Sequence, residues 1–323
     1  YYLGGTMKKL ILIIASAMSL LTFSFSAHAL KVGALYLDTA GFFGEIKYGI
    51  EKAGEEEGIE LTGANSQSDV AREAEFIDTL LATGVDVVIM SPVSTDSSVA
   101  AVERLAEAGV PVVCYNTCLN DEDAKRLAYA LVTTSQRELG YPVGVIAGNW
   151  AIKAGIDLKI GIHNCNRYEA CQEREDGFID GLKSTGVNFE VINNQEAFAN
   201  DVATQVGTDM LIANPEINLM YAANEGGTIG AVNAVLAAGQ IGQTYVMGTD
   251  ATAELMNFVS DGEILLAVNS QFPRDMGAGA MRAALKAVKG EAIDEYVQLT
   301  PTKVFTSIDK IAIDTWLSER GYD

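Results

Sequence analysis

The sequence predicts an α/β protein made of two domains, each a doubly wound parallel sheet with helices on both faces. Three observations predict this class. Short runs rich in Val and Ile recur along the chain, segments of helical periodicity fill the gaps between them, and this alternating series occurs twice. A chain of 323 residues with 49% apolar side chains can bury two cores, since one domain takes about 100–200 residues.

The first series contains four apolar runs, which we predict as strands over 32–38, 59–66, 85–93 and 110–116. Because these runs are apolar almost without interruption, they are typical of a parallel sheet covered on both faces. The apolar spacing that starts at Val70 and ends at Leu81 predicts a helix between the second and third strands. Asp96 is the predicted N-cap of the next helix, and Gly109 is predicted to end it.

The second series contains five such runs, predicted as strands over 159–163, 189–193, 218–223, 243–248 and 264–268. Helical stretches again alternate with them, so the second domain is predicted to be of the same kind as the first. No linker rich in Pro, Gly and Ser separates the two series. We therefore expect ordinary chain to join the domains, with room for several crossings.

The N-terminal segment has the pattern of a signal peptide. Two lysines follow Met7, an apolar stretch covers 10–25, and small residues flank His28. The alternative, a transmembrane anchor, is disfavoured because the stretch is short for the ~20 residues that a bilayer requires. We predict that residues 1–29 are upstream sequence and signal peptide, and that the rest is exported to the periplasm as a soluble protein without a lipid anchor.

Charge and cysteine content restrict the class further. A net charge of −21 repels phosphate and argues against nucleic-acid binding. Export permits disulfides, and of the three possible pairings we favour Cys165–Cys171, because both residues lie in one loop between a strand and a helix. Cys114 lies inside an apolar strand and is expected to be a buried small apolar residue. The cysteine spacings do not fit a zinc site, and we predict no metal.

Most predicted strands become polar where they end. In open parallel sheets ligands bind outside the carboxyl ends of the strands, so these ends are candidate ligand contacts. Loops are polar in any case, and a single polar end carries little weight. Together, however, the ends are rich in amides and carboxylates and poor in lysine, as a site for a neutral, hydroxyl-rich ligand requires. The ends are 38–39, 65–67, 91–92, 116–117, 164–167, 194–195, 224–225, 249–250 and 269–271.

Aromatic residues lie beside these strand ends. Phe42 and Phe43 begin the first helix directly after a strand, and a phenyl ring stacks well on the C–H face of a sugar ring. We expect one of the two to pack into the core instead. Residues that could form a second aromatic wall are Tyr115, Tyr168, Phe198 and Phe272, and Tyr115 could equally face the core.

The motifs of common enzymes are absent from the sequence. It contains no G-x-S-x-G, H-E-x-x-H or P-loop motif, and Glu225 places a negative charge in the nearest match to a phosphate loop. A carboxylate pair for glycoside hydrolysis, Glu225 with Asp250, stays open, although no general acid is identifiable. His163 has no triad partner and is predicted to be structural. We therefore predict a binding protein without catalytic residues or cofactors.

Several segments resemble the type I periplasmic sugar-binding proteins of ABC importers, which include the ribose-, galactose- and allose-binding proteins. The resemblance extends over about 30–303 and rests on VDVVIMSPVSTDSSVAAVERLAEAGVPVV, MYAANE followed by two glycines, YVMGTDATAE and NSQFPRDMG. It implies two doubly wound domains joined by a three-crossing hinge, with ligand held in the cleft between them. The implied crossings lie near 134–136, 271–272 and 301–304. The implied N-terminal domain is 30–134 plus 272–303, and the C-terminal domain is 135–271 plus 304–323.

The same resemblance assigns ligand-binding roles. Asn116 ends the fourth strand where many relatives have an acid followed by Arg, and Thr117 takes the Arg position, so the pattern of hydroxyl contacts must differ. Around CQEREDGF the family places an arginine that reaches the ligand; Gln172 matches it by direct count, and Arg167 and Arg174 are the alternatives. The implied binding residues are Asp38, Phe42, Phe43, Asn116, Gln136, Arg167, Gln172, Arg174, Phe198, Asn224, Asp250 and Gln271.

The function implied by the resemblance is capture of a monosaccharide or related polyol and its delivery to an ABC permease in the inner membrane, by a protein expected to be a monomer. The alternative is a sugar-sensing binding protein that serves a chemoreceptor or a sensor kinase. A sugar-responsive repressor shares this fold, but it requires an N-terminal DNA-binding helix-turn-helix and a basic face. The signal peptide and the acidic charge disfavour that class.

Overall fold

The structure, a computed structural model, describes residues 30–166 and 168–322. From Lys31 onward the chain forms one compact unit of alternating strands and helices. Its strands are β1 (Lys31–Tyr36), β2 (Glu60–Asn65), β3 (Val87–Met90), β4 (Val112–Tyr115), β5 (Ala128–Thr134), β6 (Leu158–Asn164), β7 (Phe189–Glu196), β8 (Leu219–Ala222), β9 (Tyr245–Thr249), β10 (Leu265–Gln271), β11 (Val297–Thr300) and β12 (Thr302–Thr306). Its helices are α1 (Gly41–Glu56), α2 (Val70–Thr83), α3 (Val99–Glu107), α4 (Asp121–Leu127), α5 (Gln136–Ala154), α6 (Glu169–Thr185), α7 (Asn200–Ala213), α8 (Glu225–Ala237), α9 (Ala253–Asp261), α10 (Pro273–Val288) and α11 (Lys310–Ser318).

Two six-stranded sheets with corresponding strand orders confirm the predicted fold class. The first has the strand order β2-β1-β3-β4-β5-β11 and the second has the order β7-β6-β8-β9-β10-β12. Neighbouring strands are parallel except at the edge of the second sheet, where β12 runs antiparallel to β10. In such doubly wound sheets the carboxyl ends of the parallel strands lie along one edge of the sheet. Ligands bind outside this edge, at the point where the strand order reverses.

The chain passes between the two sheets three times in this described region. It leaves the first sheet after β5, returns after β10, and leaves again between β11 and β12. The domain limits 30–134 plus 272–303, and 135–271 plus 304–323, stay a prediction, because the fold alone does not divide the compact unit.

The nine strands predicted from apolar runs are all present, but three further strands escape that pattern. β5 alternates between buried and half-exposed residues, and β11 and β12 are largely exposed edge strands. The edge strands β2 and β7 are no more buried, but they belong to the regular alternation of strands and helices, whereas these three lie outside it. They are also the strands that adjoin the crossings between the sheets.

The capping predictions are partly wrong. The predicted helix at 70–81 is present as α2, with Asp69 accepting hydrogen bonds from the N–H groups of Ala71 and Arg72. Asp96, however, does not cap α3, because the chain turns between Ser94 and Ser98 and the helix begins only afterwards. The carboxylate of Asp96 instead accepts a hydrogen bond from the side-chain amide of Asn120, at 3.0 Å.

The disulfide Cys165–Cys171 is confirmed, whereas the expectation that Cys114 is an unpaired apolar residue is wrong. Cys114 is buried in β4 but forms a disulfide with Cys118, at a Cα–Cα distance of 5.4 Å. After β4 the chain turns through Asn116, whose φ of 61° is left-handed, and this turn brings Cys118 back over the strand end. Apolar patterning predicts burial of Cys114 but carries no signal for that turn.

Helices α5 and α6 pack closely because glycines line their contact. A Cβ atom on Gly140 would lie 1.8 Å from the carbonyl oxygen of Arg174, and one on Gly177 would lie 2.2 Å from that of Arg137. Backbone cannot yield as a flexible side chain can, so these positions require glycine. The contact fixes the position of Arg174 relative to α5.

Gly140→Ala is expected to lower the free energy of unfolding by about 2 kcal/mol, measured by urea denaturation. A clash with backbone is at the upper end of the cost of overpacking, about 3 kcal/mol, and the gain in helix propensity of about 1 kcal/mol offsets part of it. Gly279→Ala in α10 is the matched control, because its Cβ would meet side-chain atoms and no backbone, with Val132 Cγ1 at 3.1 Å and Arg282 Nη2 at 3.8 Å. Equal effects of the two substitutions would contradict this account of the contact.

The signal peptide and upstream residues predicted for 1–29 lie outside the described residues. Within the described part of the chain, the structure has no helix whose length and apolar content would let it cross a membrane.

Candidate functional site

The candidate site is built on the carboxyl ends of β9 and β10. Asp250 follows β9 and Gln271 ends β10. The side-chain Nε2 of Gln271 donates a hydrogen bond to Asp250 Oδ1 at 2.8 Å, and the N–H of Glu225 donates to Asp250 Oδ2 at 3.2 Å. Asp250 has a left-handed φ of 69°, which orients its carboxylate toward the N-terminus of α8. The carboxylate is thus held by two donors from neighbouring elements.

Arg174 links this pair to the crossing after β5. The guanidinium is 8% exposed, donates from Nη1 to the carbonyl oxygen of Ala223 at 2.9 Å, and lies 3.7 Å from Asp250 Oδ2. Its Nε donates to Gln136 Oε1 at 2.8 Å, and Gln136 Nε2 donates in turn to the carbonyl oxygen of Thr134. One polar network therefore joins Gln136, Arg174, Asp250 and Gln271.

The three candidates around the CQEREDGF segment have different positions. Arg174 belongs to the network, whereas Gln172 is exposed and donates to the carbonyl oxygen of Asn166 in its own loop, at 2.6 Å. Arg167 lies outside the described residues. Direct counting from the motif therefore favours Gln172, while the hydrogen bonds favour Arg174 as the residue built into the site.

Asn224 caps helix α8 beside the same strand ends. Its Oδ1 accepts from the N–H of Gly227 at 3.2 Å, and its Nδ2 donates to the carbonyl oxygen of Phe198 at 2.9 Å. Asn224 is 8% exposed, so its amide is largely engaged in holding the two segments together. The ring of Phe198 is 44% exposed and contacts Tyr168, with ring centroids 5.3 Å apart.

The residues predicted from the first sheet are more dispersed. Asp38 is exposed, and its Oδ1 accepts from the N–H of Thr39. Asn116 is half-buried, and its carbonyl oxygen accepts from Thr133 Oγ1 at 2.8 Å. Phe42 and Phe43 lie edge to face, with centroids 5.4 Å apart, and both are only half-buried. The expectation that one of the two packs into the core is wrong, because both begin α1 at its exposed end.

Tyr115 and Phe272 complete the aromatic set. Tyr115 is 1% exposed, and its hydroxyl lies within hydrogen-bonding distance of the backbone of Leu35 and Leu37, so it faces the core. Phe272 is half-buried at the N-cap of α10.

A cavity of about 260 Å³ joins elements of both sheets. Of the predicted binding residues, Phe42, Asp250 and Gln271 line it. The other described ones surround the strand ends without forming its wall. Further lining residues that the sequence-based site did not include are Glu45, Glu225, Thr252, Pro273, Trp316, Arg320 and Tyr322.

The C-terminal segment was missed because it carries no motif. It reaches the cavity through β12, whose antiparallel return along β10 brings α11 and the residues after it beside α1. Arg320 stacks on Trp316, with its guanidinium carbon 4.1 Å from the ring centroid, and lies 3.6 Å from Glu45. Arg274 also pairs with Glu45 and donates to the carbonyl oxygen of Glu319 at 2.9 Å.

Burial shifts the pKa values of two ionisable residues at the cavity wall, Glu225 and Arg320. Burial is the main cause that raises the pKa of Glu225, and the nearby carboxylates of Asp250 and Glu254 raise it further. Burial also lowers the pKa of Arg320, with the charge of Arg274 acting in the same direction. The Glu225 carboxylate is therefore in surroundings that disfavour its charge.

His163 lies on β6, away from the cavity wall. It is fully buried, and its Nδ1 is 3.1 Å from the carbonyl oxygen of Gly227, while burial lowers the pKa of the imidazole. Its neighbours include Gly207, where any side chain would clash with the imidazole ring. This setting agrees with a structural role beneath α8.

Three comparisons identify similar proteins. The profile of a family described as "Periplasmic binding protein domain" matches residues 34–292. The ABC transporter periplasmic-binding protein YphF of Escherichia coli (strain K12) is 34% identical over 283 residues, which cover 87% of this chain and 86% of YphF. The ribose import binding protein RbsB of the same strain is 29% identical over 292 residues, covering 89% of this chain and 95% of RbsB.

A solved structure shows the same fold. The ABC transporter periplasmic solute binding protein from Actinobacillus succinogenes 130z, with bound D-allose, has a TM-score of 0.79 to this protein at 22% identity, and the match covers 88% of this chain and 99% of that one. The family match extends over most of the chain, and the match to YphF, at 34% identity, covers 87% of the chain. The chain therefore belongs to the periplasmic binding protein family, a family of solute-binding proteins rather than enzymes.

Proposed function

We propose that the protein binds a monosaccharide or related polyol in the cavity between its two sheets and delivers it to an ABC permease. The observation that carries the proposal is that Phe42, from the helix after β1, lines the same cavity as the Asp250–Gln271 pair from the second sheet. An apolar ring and oriented hydrogen-bonding groups around one cavity suit a molecule with a C–H face and a hydroxyl edge. Ribose and D-allose, which RbsB and the Actinobacillus protein bind, belong to this class.

Binding is proposed to close the two domains, 30–134 plus 272–303 and 135–271 plus 304–323, on the ligand. Gln136 directly follows β5 and Gln271 ends β10, so two members of the polar network lie at crossings between the sheets. Crossing residues absorb hinge rotation. A ligand that touches both domains only when they are closed shifts the population toward that form.

Delivery to a permease forms part of the proposal. The closed form is the one that a membrane permease would distinguish from the empty protein, and the predicted signal peptide at 7–29 would place the protein where such a permease opens. Genes for a permease and an ATPase beside this gene are expected, and a neighbouring sensor gene in their place would favour the sensing alternative.

A thermal-shift screen tests the proposal. A ligand that binds only the folded state raises the melting temperature by mass action. We expect at least one of D-ribose, D-allose, D-galactose, D-glucitol and myo-inositol to raise it, with calorimetry then giving the affinity. The absence of any shift at millimolar concentrations, with this panel and with amino derivatives of its members, would overturn the proposal.

The two neighbouring phenylalanines provide a matched test of ring stacking. Phe42→Ala is expected to weaken binding of the sugar from the screen by about tenfold, because a stacked ring contributes about 1 kcal/mol beyond the apolar area it buries. Phe43→Ala removes the same side chain from a position outside the cavity wall and is expected to change affinity by less than about threefold. Calorimetry of both variants measures the difference, and a larger loss in Phe43→Ala would contradict the assignment of Phe42.

A further inference from the structure

Three carboxylates from residues 30–166 and 168–322 line the cavity, and two of them already have cationic partners. Glu45 is paired with Arg274 and lies 3.6 Å from Arg320. Asp250 lies 3.7 Å from Arg174 and accepts a hydrogen bond from Gln271. The positive charge near the cavity is thereby committed to these two acids.

The third carboxylate, that of Glu225, has no such partner. Within residues 30–166 and 168–322 no donor lies within hydrogen-bonding distance of its side-chain oxygens, and no cation lies within ion-pair distance. The charged groups that act on it are the acids Asp250 and Glu254. Glu225 is half-buried in the first turn of α8, at the cavity wall.

A second acceptor beside Glu225 is also unsatisfied. Gln271 lines the same cavity and is 4% exposed. Its Nε2 is committed to Asp250, while its Oε1 is buried without a hydrogen-bond partner in the described part of the chain. Buried acceptors of this kind are normally paired, and one left unpaired destabilises the folded protein.

Closure of the domains makes this arrangement costly for a purely neutral ligand. As water leaves the cavity, a carboxylate without a cationic partner must either stay charged in a drier environment or take up a proton. Hydroxyl groups donate hydrogen bonds to it but leave the charge uncompensated. An ammonium group supplies both the charge and three N–H donors.

We propose that the ligand is an amino sugar or amino polyol, that its protonated amine binds the Glu225 carboxylate, and that a rotation of the Gln271 side chain presents the buried Oε1 as a second acceptor. This inference rests on the proposed function, because it requires that the cavity is the ligand site. The hydroxyl groups of the same molecule donate hydrogen bonds to Asp250, and its C–H face stacks on the ring of Phe42.

Matched pairs of ligands test the inference. We would measure by calorimetry, at about pH 6 where such amines are charged, D-glucosamine against D-glucose, D-galactosamine against D-galactose, and 1-amino-1-deoxy-D-glucitol against D-glucitol. In at least one pair the amine is expected to bind at least about tenfold more tightly, since charge-assisted hydrogen bonds are about twice as strong as neutral ones. In Glu225→Gln that preference is expected to fall below about threefold.

Glu254→Gln is the control variant. It removes the same charge from an exposed position close to Glu225 but outside the cavity wall, and the preference for the amine is expected to persist. An equal loss in both variants would reduce the effect to long-range charge and overturn the contact.

The possible failures are distinguishable. If the neutral sugars bind as tightly as the corresponding amines, or if the preference for the amine survives in Glu225→Gln, this inference is wrong. The proposed function is then still supported by the binding of the neutral sugars. If no neutral or amino member binds, both are wrong.

Discussion

Asp250→Ala is expected to weaken ligand binding by about 100-fold or more, measured by calorimetry with the sugar found in the screen. The carboxylate is held by Gln271 and by the backbone of Glu225, so it meets the ligand already oriented. Each hydrogen bond from a hydroxyl to an ionised carboxylate is worth about 1.5–3 kcal/mol, and two such bonds account for the expected loss. Removing Asp250 also leaves the buried Arg174 without its carboxylate.

The control for this variant is Asp261→Ala, which removes an exposed carboxylate at the end of α9. It is expected to leave affinity unchanged within about twofold. Circular dichroism and thermal melting would show that Asp250→Ala is folded. A folded variant with the affinity of the parent protein would exclude Asp250 from the binding site.

Arg174→Met is expected to have the largest effect on stability, a loss of about 3 kcal/mol in the free energy of unfolding. Breaking a buried ion pair by removing one partner typically costs about 3–5 kcal/mol, because the other charge stays buried. Gln136 Oε1 and the carbonyl oxygen of Ala223 would also lose their donor. Urea denaturation of the ligand-free protein measures the loss.

A second arginine in contact with the same helix pair provides the comparison. Arg137 pairs with Asp180, and both side chains are well exposed. Exposed pairs contribute about 0–1 kcal/mol, so Arg137→Met is expected to lower the stability by less than about 1 kcal/mol. Similar losses for the two variants would show that the Arg174 network contributes no more than a surface pair.

The buried parts of the fold were the parts that the sequence predicted well. Strands such as β3 and β4 are short, fully buried and β-branched, and their pattern can arise in few other ways. β5, β11 and β12 were missed because they adjoin the crossings between the sheets, outside the regular alternation of strands and helices that indicated the edge strands β2 and β7. The same limit applies to Cys118, whose disulfide depends on the turn at Asn116 rather than on any local spacing.

The site residues that directly follow a predicted strand could be predicted from the sequence, and the residues on helices could not. Asp250 and Gln271 follow apolar strands, so their place at the sheet edge follows from the topology. Choosing among Gln172, Arg174 and Arg167 requires the helix phase of α6, which places Arg174 toward Asp250 and leaves Gln172 exposed. Glu225 entered the sequence argument as a possible catalytic partner of Asp250, and only the structure shows that it lines the cavity, without a partner among the described residues.

The position of Trp316, Arg320 and Tyr322 in the cavity wall has a practical consequence for protein engineering. A purification tag or fluorescent reporter attached at Tyr322 would emerge beside this cavity and next to the Glu45–Arg320 contact. Fusions intended as biosensors are better inserted in the exposed turn around Gly290, which lies between α10 and β11 on the first sheet.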